Sequence, residues 1–212
     1  MAKTKFQNTA GGVIVDDLIR TIQNNRDYLS QIDGKIGDGD HGINMNKGVT
    51  LCAQRLDGRT YSLSDGLQVL SKTLLEDIGG SMGPLYGMFF DELAASCAEE
   101  IDAECFARML ENAAEAVQEI GNAKAGDKTL LDTMLPAKDA FREAVDAGVD
   151  FSAALDKLQA AAESGWRQTE QMVAKVGRAS RLGERSRGVL DAGATSCYLL
   201  LNSFAESVKR LL

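Results

Sequence analysis

Three carboxylates fall within eight residues at Asp33, Asp38 and Asp40, and Gly34, Gly37 and Gly39 stand between them. Glycines let the backbone turn sharply enough to bring the acids together. Carboxylates held close repel one another, so the arrangement is costly without a compensating cation. Hard oxygen donors of this kind suit Mg²⁺ or Ca²⁺ rather than zinc or copper. An EF-hand fails on spacing. A twelve-residue loop begun at Asp38 puts Val49 where a bidentate glutamate is needed, and one begun at Asp33 puts Lys35 at the third, ligating position. Asp-Gly pairs are also common turn formers, and alone they would read as turns. Together with Asp33 and the chain's only histidine, His41, they favour a magnesium site with positions left open for phosphate oxygens. His41 itself has two readings: a hydrogen-bonded bundle residue, or a donor to a phosphate or metal-bound water beside a helix starting at Asn44.

Three further glycine-rich stretches interrupt helical patterns. The run Gly121 to Thr129 nearly spells the GxxxxGK[ST] phosphate loop, but Asp127 is one residue too many and a helical stripe, not a strand, precedes it. Its composition still suits a loop that wraps a nucleotide. Gly79 to Pro84 precedes a helix whose first turn can attract an anion, or simply forms a tight corner between helices. In the looser run from Gly177 to Gly193, Arg178 offers a fixed positive charge to a polyphosphate, and Asp191 is placed to cap the last helix.

Helices must position these loops. Apolar residues recur at helical spacing in five stripes: Val15, Leu18, Ile22 and Leu29; Leu63, Leu67, Leu70 and Leu74; Phe106, Met109, Ala113, Val117 and Ile120; Leu155, Leu158, Ala162, Thr169 and Met172; Cys197, Leu201, Phe204, Val208 and Leu211. Ser62 with Asp65 resembles a capping box, and Gly79 and Gly148 follow stripes where a left-handed residue closes a helix. The expectation is a compact all-α bundle of about eight antiparallel helices, with no convincing strand, forming a single domain over residues 1–212 and carrying its glycine loops as a site.

Composition narrows the functions further. With 31 acids against 23 bases the formal charge is −8, which repels a nucleic-acid duplex, so no direct nucleic-acid partner is expected. Cys52, Cys97, Cys105 and Cys197 form no CxxC pair and read as buried free thiols rather than a zinc site. Met1 to Asn8 is not followed by a long apolar run, since Asp16-Asp17 cuts short Val13-Ile14-Val15. No signal peptide or membrane span is expected, and a cytoplasmic location follows.

Taken in order, the blocks Asp33, Gly37 to Met45, Gly79-Gly80 with Gly83 to Gly87, Gly126 to Thr129, Gly177 to Ser186 and Asp191 to Ser196 resemble the L subunit of bacterial dihydroxyacetone kinases along nearly the whole chain. The resemblance implies a barrel of eight antiparallel helices with the nucleotide, ADP or ATP, bound at one end. It implies that Asp33, Asp38 and Asp40 hold two Mg²⁺, and that His41, Gly42, Ile43, Asn44, Ser81, Met82, Gly121, Leu130, Arg178, Asp191, Ala192 and Gly193 line the nucleotide pocket. Two departures stand beside that pocket: Met82, where the family often has serine, and Ala192, where many members have proline. In the family a separate K subunit carries the ketose, so this chain is expected to supply the phosphoryl donor and not to phosphorylate a sugar alone. Either ADP stays bound and is recharged from phosphoenolpyruvate through an M subunit, or ATP exchanges; the chain's stand-alone length favours the first. Alternatives are a different small ketose such as erythrulose, a non-catalytic ADP-bearing module that binds a transcription regulator, and a calcium-binding bundle.

Overall fold

The computed structural model describes residues 4–212. The first three residues, part of the Met1–Asn8 stretch read above for a leader, lie outside them. Nine α-helices carry the described chain: α1 (Gly12–Asn24), α2 (Arg26–Ile36), α3 (His41–Leu56), α4 (Leu63–Asp77), α5 (Met82–Ala95), α6 (Ala103–Gly121), α7 (Leu131–Asp146), α8 (Phe151–Gln168) and α9 (Ala192–Leu211). From α2 onward each helix packs on the next, and α9 closes the ring against α1 and α8. The all-α bundle expected from the periodicity is therefore present. The additional helix arises at Asn25, where φ −108° and ψ 9° break the first stripe between Ile22 and Leu29.

Local signals account for several boundaries. Ser62 accepts from the Asp65 N–H at 3.1 Å, and the Asp65 carboxylate accepts from the Ser62 N–H at 3.3 Å, completing the expected capping box of α4. Gly148 is left-handed as expected, but after α4 the left-handed residue is Gly80 and not Gly79. The helix expected from Asn44 begins three residues earlier, at His41. In the fourth stripe, α8 gives way after Gln168 to a 3-10 turn over Thr169–Gln171, and Met172 lies beyond it with extended backbone. Ile120, expected to face inward, is 43% exposed at the end of α6.

One pair of strands contradicts the strand-free expectation. β1 (Lys5–Gln7) pairs antiparallel with β2 (Glu100–Asp102), setting Phe6 opposite Ile101. Each strand has three residues and buries only its middle one, too short a run for alternation to register.

The core runs the length of the ring. Phe106, Phe141, Phe151 and Phe204, from α6, α7, α8 and α9, meet with ring centroids 5.2 to 5.9 Å apart. Each such side chain contributes about 1.5–3 kcal/mol on burial, so the packed bundle is a firm support for loops at its rim. All four cysteines are free, as expected, although Cys97 is only partly buried. Burial pushes the Cys52 and Cys97 thiols up to about 12. Among the described residues no helix is long and apolar enough to cross a membrane.

Candidate nucleotide and metal site

The carboxylates are collected by the corner between α2 and α3. Asp33 lies in the last turn of α2, where its carbonyl accepts the Gly37 N–H at 2.6 Å. Asp40 stands at the N-cap of α3. A carboxylate there ordinarily bonds a free helix N–H, yet Asp40 makes no such bond. One oxygen from each of Asp33, Asp38 and Asp40 instead lies within 4.8 Å of the others. Gly37 is required by that closeness, because a Cβ at this position would stand 2.3 Å from Asp33 Oδ1. The cluster's cationic partner is Arg178, which forms an ion pair with Asp38. Three clustered oxygens, one unused for capping, fit a hard divalent cation by their chemistry.

Beside this corner opens a cavity of about 600 Å³, a volume typical of small-molecule sites. Four helices present their N-terminal ends to it: α3 through His41 and Asn44, α5 through Ser81 and Met82, α7 through Leu130 and Leu131, and α9 through Asp191, Ala192 and Gly193. Unpaired N–H groups and the helix dipole make each such end favourable to anions. Leu85, Val117, Leu130 and Leu131 give another part of the wall an apolar character suited to a planar base. Asp33 accepts the His41 N–H at 3.4 Å and Asp191 that of Ala194, while the remaining carboxylate oxygens and helix ends suit a cation and a polyanion bound together.

A buried hydrogen-bond chain fixes the floor. His41 Nε2 lies 2.9 Å from Ser196 Oγ, which lies 2.6 Å from the Tyr86 hydroxyl. Tyr86 donates to the Gly193 carbonyl at 3.1 Å. The chain thus joins α3, α5 and α9 beneath the cavity. Burial pushes the His41 imidazole down to about 4, against the pull of Asp33, so the ring is neutral near pH 7. Burial also pushes Asp191 up to about 6, opposed by the Ala194 N–H it accepts at 2.8 Å and by Lys128. Asp191 therefore caps α9, as the sequence suggests, while facing the cavity.

Most of the residues singled out from the sequence meet at this cavity: Asp33, Asp38, Asp40, His41, Asn44, Ser81, Met82, Gly121, Leu130, Arg178, Asp191, Ala192 and Gly193. Gly42 and Ile43 do not line it. Gly42 is buried against α2, where a Cβ would come 2.0 Å from the Arg26 carbonyl, and Ile43 turns outward and is 49% exposed. Helical geometry explains both, since successive residues of α3 diverge by about 100° and only His41 and Asn44 share the inner face.

Sequence reasoning left out Tyr86, Ser196 and Lys128. Tyr86 and Ser196 sit inside the quoted blocks, but no periodicity discloses that they bond to His41. Lys128, in the near phosphate loop, borders the cavity, but its ammonium is engaged by the backbone carbonyls of Met172, Ser186 and Val189. That placement agrees with rejecting a phosphate loop of the strand-to-helix kind.

Comparison with known proteins bears on this geometry. Residues 35–206 match the DAK2 domain. The chain is 38% identical to the ADP-binding subunit DhaL of PEP-dependent dihydroxyacetone kinase 2 from Listeria innocua, over 99% of each chain. It is 35% identical to the ADP-binding subunit DhaL of the PEP-dependent dihydroxyacetone kinase from Escherichia coli, over 86% of this chain and 89% of that one. Among solved structures it resembles the dihydroxyacetone kinase from C. freundii in complex with AMP-PNP and Mg²⁺, with a TM-score of 0.69 at 22% identity. That likeness concerns the fold. It covers 98% of this chain and 36% of that longer one.

Proposed function

The chain belongs to the DAK2 domain family, and we propose that within it this protein is the nucleotide-binding subunit of a dihydroxyacetone-type kinase, holding ADP or ATP through magnesium at the α2–α3 corner. The observation that carries the reading is the meeting of three carboxylates with four helix N-termini around one cavity. Neither feature alone asks for a nucleotide. Together they ask for a polyphosphate whose oxygens meet the helix ends while bound cations meet the acids.

Asp33, Asp38 and Asp40 would hold two Mg²⁺, their three negative charges offsetting most of the four positive ones, with phosphate oxygens supplying the rest. Magnesium bound there would neutralise charge on the phosphates and on a transferring phosphoryl group. The chain's own residues do the positioning. His41, neutral and held by Ser196 through Nε2, keeps one fixed ring orientation beside the phosphates. The N-terminal turns of α5 and α9 supply backbone N–H groups, and Arg178 places a permanent positive charge at the open side. The apolar wall from Leu85, Val117, Leu130 and Leu131 receives the base.

The identity to DhaL subunits over about nine-tenths or more of their lengths supports a donor role; in this reading the ketose sits on a separate K subunit and an M subunit recharges bound ADP from phosphoenolpyruvate. The test is reconstitution. The purified chain, mixed with a K subunit and supplied with Mg·ATP or with the phosphoenolpyruvate-driven M subunit, is expected to convert dihydroxyacetone to its phosphate. The chain alone is expected to give none. Absence of transfer in both mixtures, with a K subunit shown active with its own partner, would leave the ADP-bearing regulatory module as the better reading. Support of nucleotide binding by Ca²⁺ and not by Mg²⁺ would instead indicate a calcium-binding bundle.

A further inference from the structure

From Thr169 to Asp191, between α8 and α9, the chain forms 3-10 turns and no α-helix. Its two ends bond each other directly, the Glu170 carbonyl accepting the Gly188 N–H at 2.7 Å and the Gln171 carbonyl accepting from Arg187, so what it needs from outside is an anchor to the rest of the fold. Lys128 supplies one. The residue is 2% exposed, and its Nζ lies 3.2 Å from the Met172 carbonyl, 2.5 Å from that of Ser186 and 2.6 Å from that of Val189. Carbonyls only accept, so three bonds require all three N–H groups of the charged ammonium.

The three acceptors occupy the two feet of a strap. Met172 is at its entry, and Ser186 and Val189 are at its exit. Ser186 also ties the feet, its hydroxyl accepting the Ala174 N–H at 2.9 Å. Between the feet lie exposed Lys175, Arg178, Arg181 and Arg185, and Arg178 reaches Asp38 of the carboxylate corner. The lysine is itself firmly seated. Asp132 is 5% exposed and accepts the N–H groups of Gly126 at 2.5 Å and Thr129 at 2.8 Å, while the Asp127 carbonyl accepts the Lys175 N–H at 3.1 Å. This bracing keeps Lys128 at φ 64°, a left-handed conformation that a non-glycine residue rarely adopts.

We propose that Lys128 is a positioning residue, a built-in ammonium ion that clamps both feet of the 172–189 strap and so holds Arg178 over the carboxylate corner. The part played toward nucleotide rests on the function proposed above; the clamp itself does not. Lys128 borders the cavity, yet its three N–H donors are taken by carbonyls and none is left for a phosphate. Here the ammonium occupies a cage of backbone oxygens, as a free cation would.

The cage makes the clamp testable by chemical rescue. In Lys128→Ala the strap is expected to be cleaved by trypsin, after Lys175, Arg178, Arg181 and Arg185, about tenfold faster than in the wild type, the loss of charge-assisted bonds appearing as a larger open population. Ethylammonium ions, which can refill the cage with N–H donors, are expected to restore most of the protection. Tetramethylammonium ions, which have none, are expected to restore nothing, and the wild type in both salts controls for effects on trypsin. Affinity for Mg·ADP is expected to fall and recover in step with cleavage. Cleavage at the wild-type rate, or equal responses to the two cations, would overturn the proposal. Weakened nucleotide binding without faster cleavage would do the same, marking Lys128 as a direct ligand. If Lys128→Ala does not fold, Lys128→Gln retains two donors without the charge, and cleavage between the wild-type rate and tenfold is expected; the wild-type rate again refutes the clamp. Should the wild type bind no nucleotide, the functional reading fails while cleavage and rescue still decide the strap.

Discussion

Two charged corners flank the same cavity and are built on opposite principles. At the α2–α3 corner, three carboxylates crowd within 4.8 Å, Asp40 forgoes its capping bond, and Arg178 on the exposed strap pairs with Asp38. At the Gly126–Thr129 corner, the buried charges of Lys128 and Asp132 have partners throughout: three carbonyls for the ammonium and two N–H groups for the carboxylate. Buried charge that is fully hydrogen-bonded organises backbone. Charge of one sign left close together raises the energy of the fold until something of opposite sign arrives. The first corner is therefore read as the ligand's, and the second as the scaffold that holds the ligand's corner in shape.

Substitution should separate the two. The largest effect is expected at the acid corner: on the proposed reading, Asp38→Asn or Asp33→Asn removes a metal ligand and should weaken Mg·ADP binding by about a hundredfold in calorimetry. The same variants in a chelator should melt no lower than the wild type, because repulsion is relieved. A lower melting temperature with intact affinity would reverse the roles assigned to the corners. Next comes Asp132→Asn, which weakens acceptors of two backbone N–H groups at a buried site. It is expected to cost about 2 kcal/mol in urea unfolding without metal or nucleotide. A variant of unchanged stability would show that the second corner is not scaffold. A smaller change tests the closeness of the acids alone. Gly37→Ala pushes aside the Asp33 carboxylate and should weaken Mg²⁺ binding roughly tenfold through strain, with little change in melting temperature. Unaltered magnesium affinity would mean that Asp33 is not held in place for a cation.

The smallest effect concerns pH. Asp191 is raised from its ordinary value to about 6 in the fold, so between about 4 and 6 the folded state binds the extra proton. Stability of the chelated protein from this group is present at low pH and lost as pH rises through that window. His41, lowered to about 4, acts in the opposite sense, its contribution falling away as pH drops from 6.5 toward 4. Asp191→Asn should remove the first slope and leave the second. Melting curves from pH 4 to 7 measure it, and an unchanged profile would show that Asp191 is not appreciably raised.

The contrast between corners also marks what a sequence discloses. The acid corner is legible because its residues are near neighbours: three aspartates, three glycines and a histidine in one short run. The capping box at Ser62 and the Asp191 cap are local in the same way. The scaffold is not. Lys128 meets carbonyls 44 to 61 residues away, His41 meets Ser196 across 155 positions, and β1 finds β2 across nearly a hundred. A lysine within GDKT resembles a phosphate ligand until its carbonyl partners are known. Helical stripes located most helices, but the break at Asn25 and the early start at His41 depend on how α2 and α3 pack. Gly42 and Ile43 join His41 through the family resemblance, and the rotation of α3 turns both from the cavity wall.

The most direct measurement of the central claim is the content of the purified protein. The chain, denatured after removal of free nucleotide, should release one ADP and about two Mg²⁺ per molecule, and Asp38→Asn should release neither. An empty protein that binds Mg·ATP reversibly would keep the site and assign it to the exchanging kind. If neither ADP nor ATP binds at any magnesium concentration, the carboxylate corner is not a nucleotide site and the kinase reading is wrong.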